Sequence, residues 1–220
     1  MSRFDLIAFD LDGTLVDSRR DLADSVNALL ADLGCDPLSE GLIGTMVGDG
    51  ARQLVERALK AAGVAHPPAD ALDRFLDHYD HRLLAHTKPY EGIAAMLEGI
   101  AARGIRRAVL TNKPQEAAER VLAGLDLARW FDAGVVGAEA AFARKPDPAG
   151  LAALADRAGV PIGAVLLVGD GGQDVETARR AGARICVARY GFGFSTALPL
   201  LDGSELLIDT PGGLLALLNP

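Results

Sequence analysis

Short apolar runs alternate with helical periodicities along most of this chain, and one long stretch breaks the rhythm. Leu6-Ile7-Ala8-Phe9 is an apolar run followed by Asp10 and Gly13, which predicts a buried strand ending in a turn. Apolar positions at Leu22, Val26, Leu29, Leu30 and Leu33 recur at helical spacing over 19–33, with Gly34 as the stop. A Gly-rich, hinge-like segment over 41–50 leads into a second helix over 51–62, and a third is expected over roughly 69–86. No strand pattern interrupts these helices between Asp17-Ser18 and Lys88-Pro89, which marks an inserted helical unit.

Beyond it the spacing predicts helices over 92–103, 114–122, 147–158 and 174–181, and strands over 107–111, 135–136, 165–168 and 185–188, with an edge strand at 205–208. Short connections of this kind imply right-handed crossovers and a parallel sheet covered by helices on both faces.

With 220 residues, half of them hydrophobic, the chain is long enough for one large domain or for a core domain with a smaller insert. The 22 basic and 30 acidic residues leave a net charge of −8, which argues against nucleic acid or an anionic membrane as the main partner. Only Lys60, Lys88, Lys113 and Lys145 are lysines, so a lysine beside a candidate site stands out. Cys35 and Cys186 fit no metal-binding spacing and read as free thiols of a reducing compartment. No segment approaches the ~18 apolar residues of a membrane span, so a cytoplasmic monomer or homodimer is expected.

Polar residues collect at the predicted carboxyl ends of strands, the rim where open α/β sheets bind ligands. The clusters are Asp10/Asp12, Thr111-Asn112-Lys113, Lys145-Pro146, and Gly169-Asp170 through Asp174. Side chains two apart on a strand point the same way, so Asp10 and Asp12 can face one site. Two like charges so close favour a metal cation as third party, or a protonated carboxyl. Each cluster alone has a plain reading as a turn, a helix cap or a solvated loop. Converging on one sheet edge, they point to a catalytic site.

These four clusters, in this order, resemble the signature of the haloacid dehalogenase superfamily of phosphohydrolases, over residues 4 to about 190. The resemblance implies an α/β fold: a Rossmann-like parallel-sheet core formed by 1–16 and 89–220, with a small helical cap domain, 17–88, inserted after the first strand. Val47-Gly48-Asp49-Gly50-Ala51, Leu110-Thr111-Asn112-Lys113 and Tyr190-Gly191-Phe192-Gly193 resemble the bacterial phosphoglycolate phosphatases within it.

The expected partner is then a small phosphorylated metabolite, and the expected cofactor Mg²⁺, held by the Asp10 carboxylate, the Asp12 backbone carbonyl and Asp170, with Asp174 in support. Asp10 is the expected nucleophile and Asp12 the acid and base for the leaving group. Thr111, Asn112 and Lys145 are expected on the phosphoryl oxygens, and Lys113 as a solvated loop lysine. Arg52, after the Gly48-Asp49-Gly50 loop, is the candidate for contacting a small acidic leaving group such as glycolate.

One departure is Gly171-Gly172, where many family members carry a small polar residue; the hydrogen bond of that hydroxyl is expected to be lost, or replaced by Gln173 or water. A phosphatase for a sugar phosphate, amino-sugar phosphate, nucleotide or pyrophosphate and a β-phosphoglucomutase-like enzyme remain as alternatives, as does a non-catalytic protein on the same fold. Asp12 argues against a dehalogenase or phosphonatase, which need no acid for an alkoxide.

Overall fold

The four residues of β1 (Leu6–Phe9) are all fully buried because the strand lies inside a sheet with both faces covered. The computed structural model describes residues 4–138 and 142–218. After β1 come β2 (Val16–Asp17), α1 (Arg19–Asp32), α2 (Glu40–Gly44), α3 (Ala51–Ala61), α4 (Ala71–Asp80) and β3 (Lys88–Pro89). The chain continues through α5 (Ile93–Ala102), β4 (Arg106–Pro114), α6 (Gln115–Gly124), β5 (Val135–Ala138), α7 (Ala149–Ala158) and β6 (Val165–Gly169). It ends with α8 (Gly172–Ala181), β7 (Arg184–Ala188), α9 (Phe194–Ala197), β8 (Leu206–Ile208) and α10 (Gly213–Leu217).

Six strands form a parallel sheet in the order β5-β4-β1-β6-β7-β8. In register, Ala8 of β1 stands between Ala108 of β4 and Leu167 of β6. Alternation along β1 sends Leu6 and Ala8 to the face packed with Leu110, Val165 and Leu167, and Ile7 and Phe9 to the face packed with Val109, Leu166 and Val168. The second of these clusters runs on without a break into Leu22, Leu54 and Phe75 of the inserted helices. No helix among the described residues is long and apolar enough to cross a membrane.

The insert enters and leaves through a two-stranded antiparallel ribbon, in which Val16 faces Pro89 and Asp17 faces Lys88. The segment over 41–50, expected as a hinge, contains α2 and lies within the insert, away from this crossing. The helix expected over 69–86 stops at Asp80. One reason is the fully buried Asp21 carboxylate on α1, which accepts hydrogen bonds from the backbone N–H of His86 and Thr87 at 3.0 and 2.7 Å and draws the return segment out of helical geometry. The strand expected over 107–111 runs on to Pro114, and its ladder with β5 breaks between Leu110 and Pro114, so Thr111, Asn112 and Lys113 leave regular pairing at the sheet edge.

Candidate active site

The turn after β1 is tightly specified. The backbone N–H of Asp10 still donates to Val168 of β6 (2.8 Å), and Leu15 and Val16 then both donate to the Leu11 carbonyl, at 2.9 and 3.0 Å. Leu11 and Leu15 are fully buried and pin this turn to the core, leaving Asp10 and Asp12 to face the rim. Gly13 adopts φ +90°, and a Cβ there would collide with the Asp170 carboxylate, so both conformation and space demand glycine.

Asp10, Asp170 and Asp174 are all buried, and each offers an oxygen within 4.8 Å of the other two. Lys145 is buried among them, its Nζ 2.9 Å from Asp10 Oδ1 and 2.6 Å from Asp174 Oδ1. Asp10 Oδ1 also accepts the Leu11 N–H at 2.7 Å, whereas Oδ2 accepts no hydrogen bond among the described residues. Asp174 takes the Gly171 N–H on its other oxygen at 3.0 Å, so both its oxygens are engaged within the protein. Asp170 accepts from Thr14 Oγ1 (3.3 Å) and from the Gly193 N–H (2.7 Å).

Burial raises the Asp10 carboxyl to about 6; Lys145 pulls against the rise and Asp174 adds to it. Burial first, then repulsion from Asp10 and Asp174, holds Asp170 well above the ordinary carboxylate range. For Lys145, burial works against the ammonium, but Asp10 and Asp174 outweigh it and keep it charged. Four carboxylates, counting Asp12, thus share the site with two ammonium groups, those of Lys113 and Lys145. A doubly charged cation with hard oxygen ligands balances this deficit, so the residues fit Mg²⁺. Asp174 is paired with the Lys145 ammonium, whereas Asp170 meets only the neutral donors Thr14 and Gly193 and Asp10 keeps Oδ2, so Asp10 and Asp170 are the side chains more open to such an ion.

Lys113 departs from the expectation of a solvated loop residue. Its side chain is 2% exposed, and Nζ lies 3.0–3.1 Å from both oxygens of Asp12 and hydrogen-bonds the hydroxyl of Tyr79 on α4. Burial opposes its charge, yet Asp12 and Tyr79 lift its pKa above the lysine norm. Ser18 Oγ donates to Asp12 Oδ1 at 2.7 Å, so Asp12 is held from both the ribbon and β4.

A cavity of about 50 Å³ opens between the insert and the sheet edge, reached by Asp10, Asp12, Thr111, Asn112 and Lys113. Thr111 Oγ1 accepts the Lys113 N–H at 3.2 Å, which leaves its hydroxyl proton to donate. The Asn112 amide donates to the carbonyls of Gly48 (2.9 Å) and Lys145 (3.0 Å), linking insert to core, and its buried Oδ1 has no partner among the described residues. Its free group is therefore an acceptor, unlike the donor expected for phosphate. Arg52 is exposed on α3 and lies outside the cavity lining, to which its neighbour Ala51 contributes. At Gly171, an added Cβ would press on the Gln173 amide, and so would one at Gly48; Gln173 thus occupies the seam where a hydroxyl was missing.

Sequence reading overlooked Tyr79 and the Tyr190-Gly191-Phe192-Gly193 segment as parts of the site. Beyond the Gly193 N–H bond to Asp170, a Cβ on Gly191 would overlap both Asp170 and the Gly13 carbonyl, so the segment lies tight against the carboxylate cluster. Tyr190 Oη donates to the Thr14 carbonyl at 3.0 Å and ties it to the first turn. The spacing of its two glycines was the available signal.

A family model described as haloacid dehalogenase-like hydrolase matches residues 7–188. A phosphoglycolate phosphatase of Rhodospirillum rubrum is 45% identical over 195 residues, covering 84% of this chain and 80% of the relative. One from Cereibacter sphaeroides is 39% identical over 189 residues, covering 84% and 85%. Among solved structures, a predicted phosphoglycolate phosphatase from Haemophilus somnus superposes with a TM-score of 0.90 at 29% identity, covering 100% of both chains. Both the site at the ends of β1, β4 and β6 and these matches lead to one assignment: the chain belongs to the haloacid dehalogenase-like hydrolase family.

Proposed function

We propose that this protein is a Mg²⁺-dependent phosphatase that hydrolyses 2-phosphoglycolate to glycolate and phosphate. The observation that carries the reading is the pair on the first turn: Asp10, with one oxygen held by Lys145 and Leu11 and the other without a partner among the described residues, beside Asp12, clamped by Ser18 and Lys113. The names of the two relatives support the substrate.

Asp10 Oδ2 attacks phosphorus, an acyl-phosphate bond forms as the ester P–O bond breaks, and Asp12 delivers a proton to the departing alkoxide. Asp12 then takes a proton from the water that attacks phosphorus, which releases phosphate and restores Asp10. The Thr111 hydroxyl donates to a phosphoryl oxygen, and Lys145 fixes Asp10 Oδ1 while adding positive charge beside the phosphoryl group. Asp10, Asp170 and the Asp12 backbone carbonyl would hold Mg²⁺, with Asp174 positioning Lys145. When bound, the ion neutralises phosphoryl charge as a Lewis acid. Residues 17–88 act as a lid, with the β2–β3 ribbon as its two adjoining hinges.

Phosphate release from 2-phosphoglycolate should vanish after chelation and return with Mg²⁺. Full turnover after exhaustive metal removal would overturn the metal-dependent reading.

A further inference from the structure

2-Phosphoglycolate is charged at both ends, with a carboxyl carbon two bonds from the ester oxygen. Lys145 and the carboxylate cluster serve the phosphoryl end. Around the rest of the cavity the insert supplies Leu22, Val47, Leu54, Phe75 and Leu76, none of which can pair with an anion. Among the described residues lining the cavity, the one cation is Lys113. Its Nζ lies 3.0 Å from Asp12 Oδ2, beside the group assigned to meet the ester oxygen, so a carboxylate two bonds further along is within its reach. Lys113 also donates to the Tyr79 hydroxyl, which leaves the phenolic proton free to point at a second acceptor. Arg52 and Arg144 are both exposed and outside this lining.

We propose that Lys113 Nζ and the Tyr79 hydroxyl form a carboxylate subsite that selects phosphate esters of 2-hydroxy acids over neutral esters of the same length. The inference rests on the phosphoglycolate reading above and names the residues that enforce it. Lys113 comes from β4 and Tyr79 from α4, so a bound carboxylate bridges core and insert and favours the closed arrangement. A neutral alcohol offers no such bridge. Without substrate the three ammonium donors go to the two Asp12 oxygens and the Tyr79 hydroxyl, so the subsite carries no orphaned charge, and a bound carboxylate takes over one of the two Asp12 bonds.

The test is the ratio of kcat/KM for 2-phosphoglycolate to that for 2-hydroxyethyl phosphate, in which a hydroxymethyl group replaces the carboxylate. Lys113→Met should lower this ratio by about 10- to 100-fold, the size of a desolvated charge-assisted contact. Lys113→Arg should retain most of it. Tyr79→Phe keeps the ring stacked on Phe75 (centroids 5.8 Å apart) and so preserves folding, yet should lower the ratio by about tenfold. Losses shared equally by both esters, with the ratio moving by about threefold or less in Lys113→Met and Tyr79→Phe, would overturn the subsite and leave Lys113 as a residue that positions Asp12. A wild-type enzyme that cleaves 2-hydroxyethyl phosphate but not 2-phosphoglycolate would instead overturn the substrate reading on which the subsite depends.

Discussion

Replacing Lys145 with methionine keeps most of the length of the side chain while removing its charge and its donors. In the native site Nζ lies 2.9 Å from Asp10 and 2.6 Å from Asp174, all three side chains almost wholly buried. Orphaning a buried charge in this way costs about 3–5 kcal/mol. Proton uptake limits that cost and gives it a pH signature. A carboxyl whose folded pKa exceeds its unfolded value loses stability as pH climbs from the unfolded value, 3.8, to the folded one, about 6 for Asp10. Above that the wild-type contribution is level. Without Lys145 the folded pKa of Asp10 moves higher, so the variant goes on losing about 1.4 kcal/mol per pH unit from this carboxyl. Near pH 7.5 that amounts to about 2 kcal/mol from Asp10. Urea unfolding in the presence of chelator should therefore show a small deficit near pH 5 and the larger one near pH 7.5. Turnover with Mg²⁺ should fall by at least about 10²–10³-fold, as for loss of one electrostatic donor to the transition state. A deficit that does not change with pH, or a variant that keeps its turnover, would refute the role given to Lys145.

Two further substitutions probe the acid and the metal site. Asp12→Asn should slow 2-phosphoglycolate hydrolysis by about 10²–10⁴-fold but p-nitrophenyl phosphate hydrolysis far less, because a phenolate departs without a proton; equal losses on the two esters would deny Asp12 the acid role. Gly191→Ala drives a Cβ into Asp170 and the Gly13 carbonyl, so a Mg²⁺ titration of activity should shift to higher concentration by about tenfold or more, and an unmoved titration would separate Asp170 from the metal.

The sheet was legible because its strands are apolar on both faces: the run Leu6-Ile7-Ala8-Phe9 has no reading other than a covered strand. The convergence of Asp10, Lys145, Asp170 and Asp174 was legible from their positions at the ends of successive elements. What the residues do to one another was less so. Lys113 looked like a loop lysine because nothing local signals burial, and its burial depends on Asp12, 101 residues away, and on Tyr79, 34 residues away. Two-residue strands such as β2 and β3 carry too little periodicity to be seen, although they flank the run of helices α1 to α4. The early end of α4 turns on Asp21, which accepts backbone bonds from residues 65 and 66 positions later. Arg52 stands beside a glycine loop in the sequence, but helical phase sends it to solvent while Ala51 and Leu54 face the cavity.

The role of Asp10 as nucleophile admits a direct measurement. Wild-type protein mixed with 2-phosphoglycolate and Mg²⁺, quenched in acid within one turnover and digested, should yield a phosphorylated peptide whose modified residue is Asp10, and Asp10→Asn should yield none while unfolding at a temperature close to wild type. Phosphate release with no phosphopeptide at any quench time, or turnover retained by Asp10→Asn, would contradict covalent catalysis at this site.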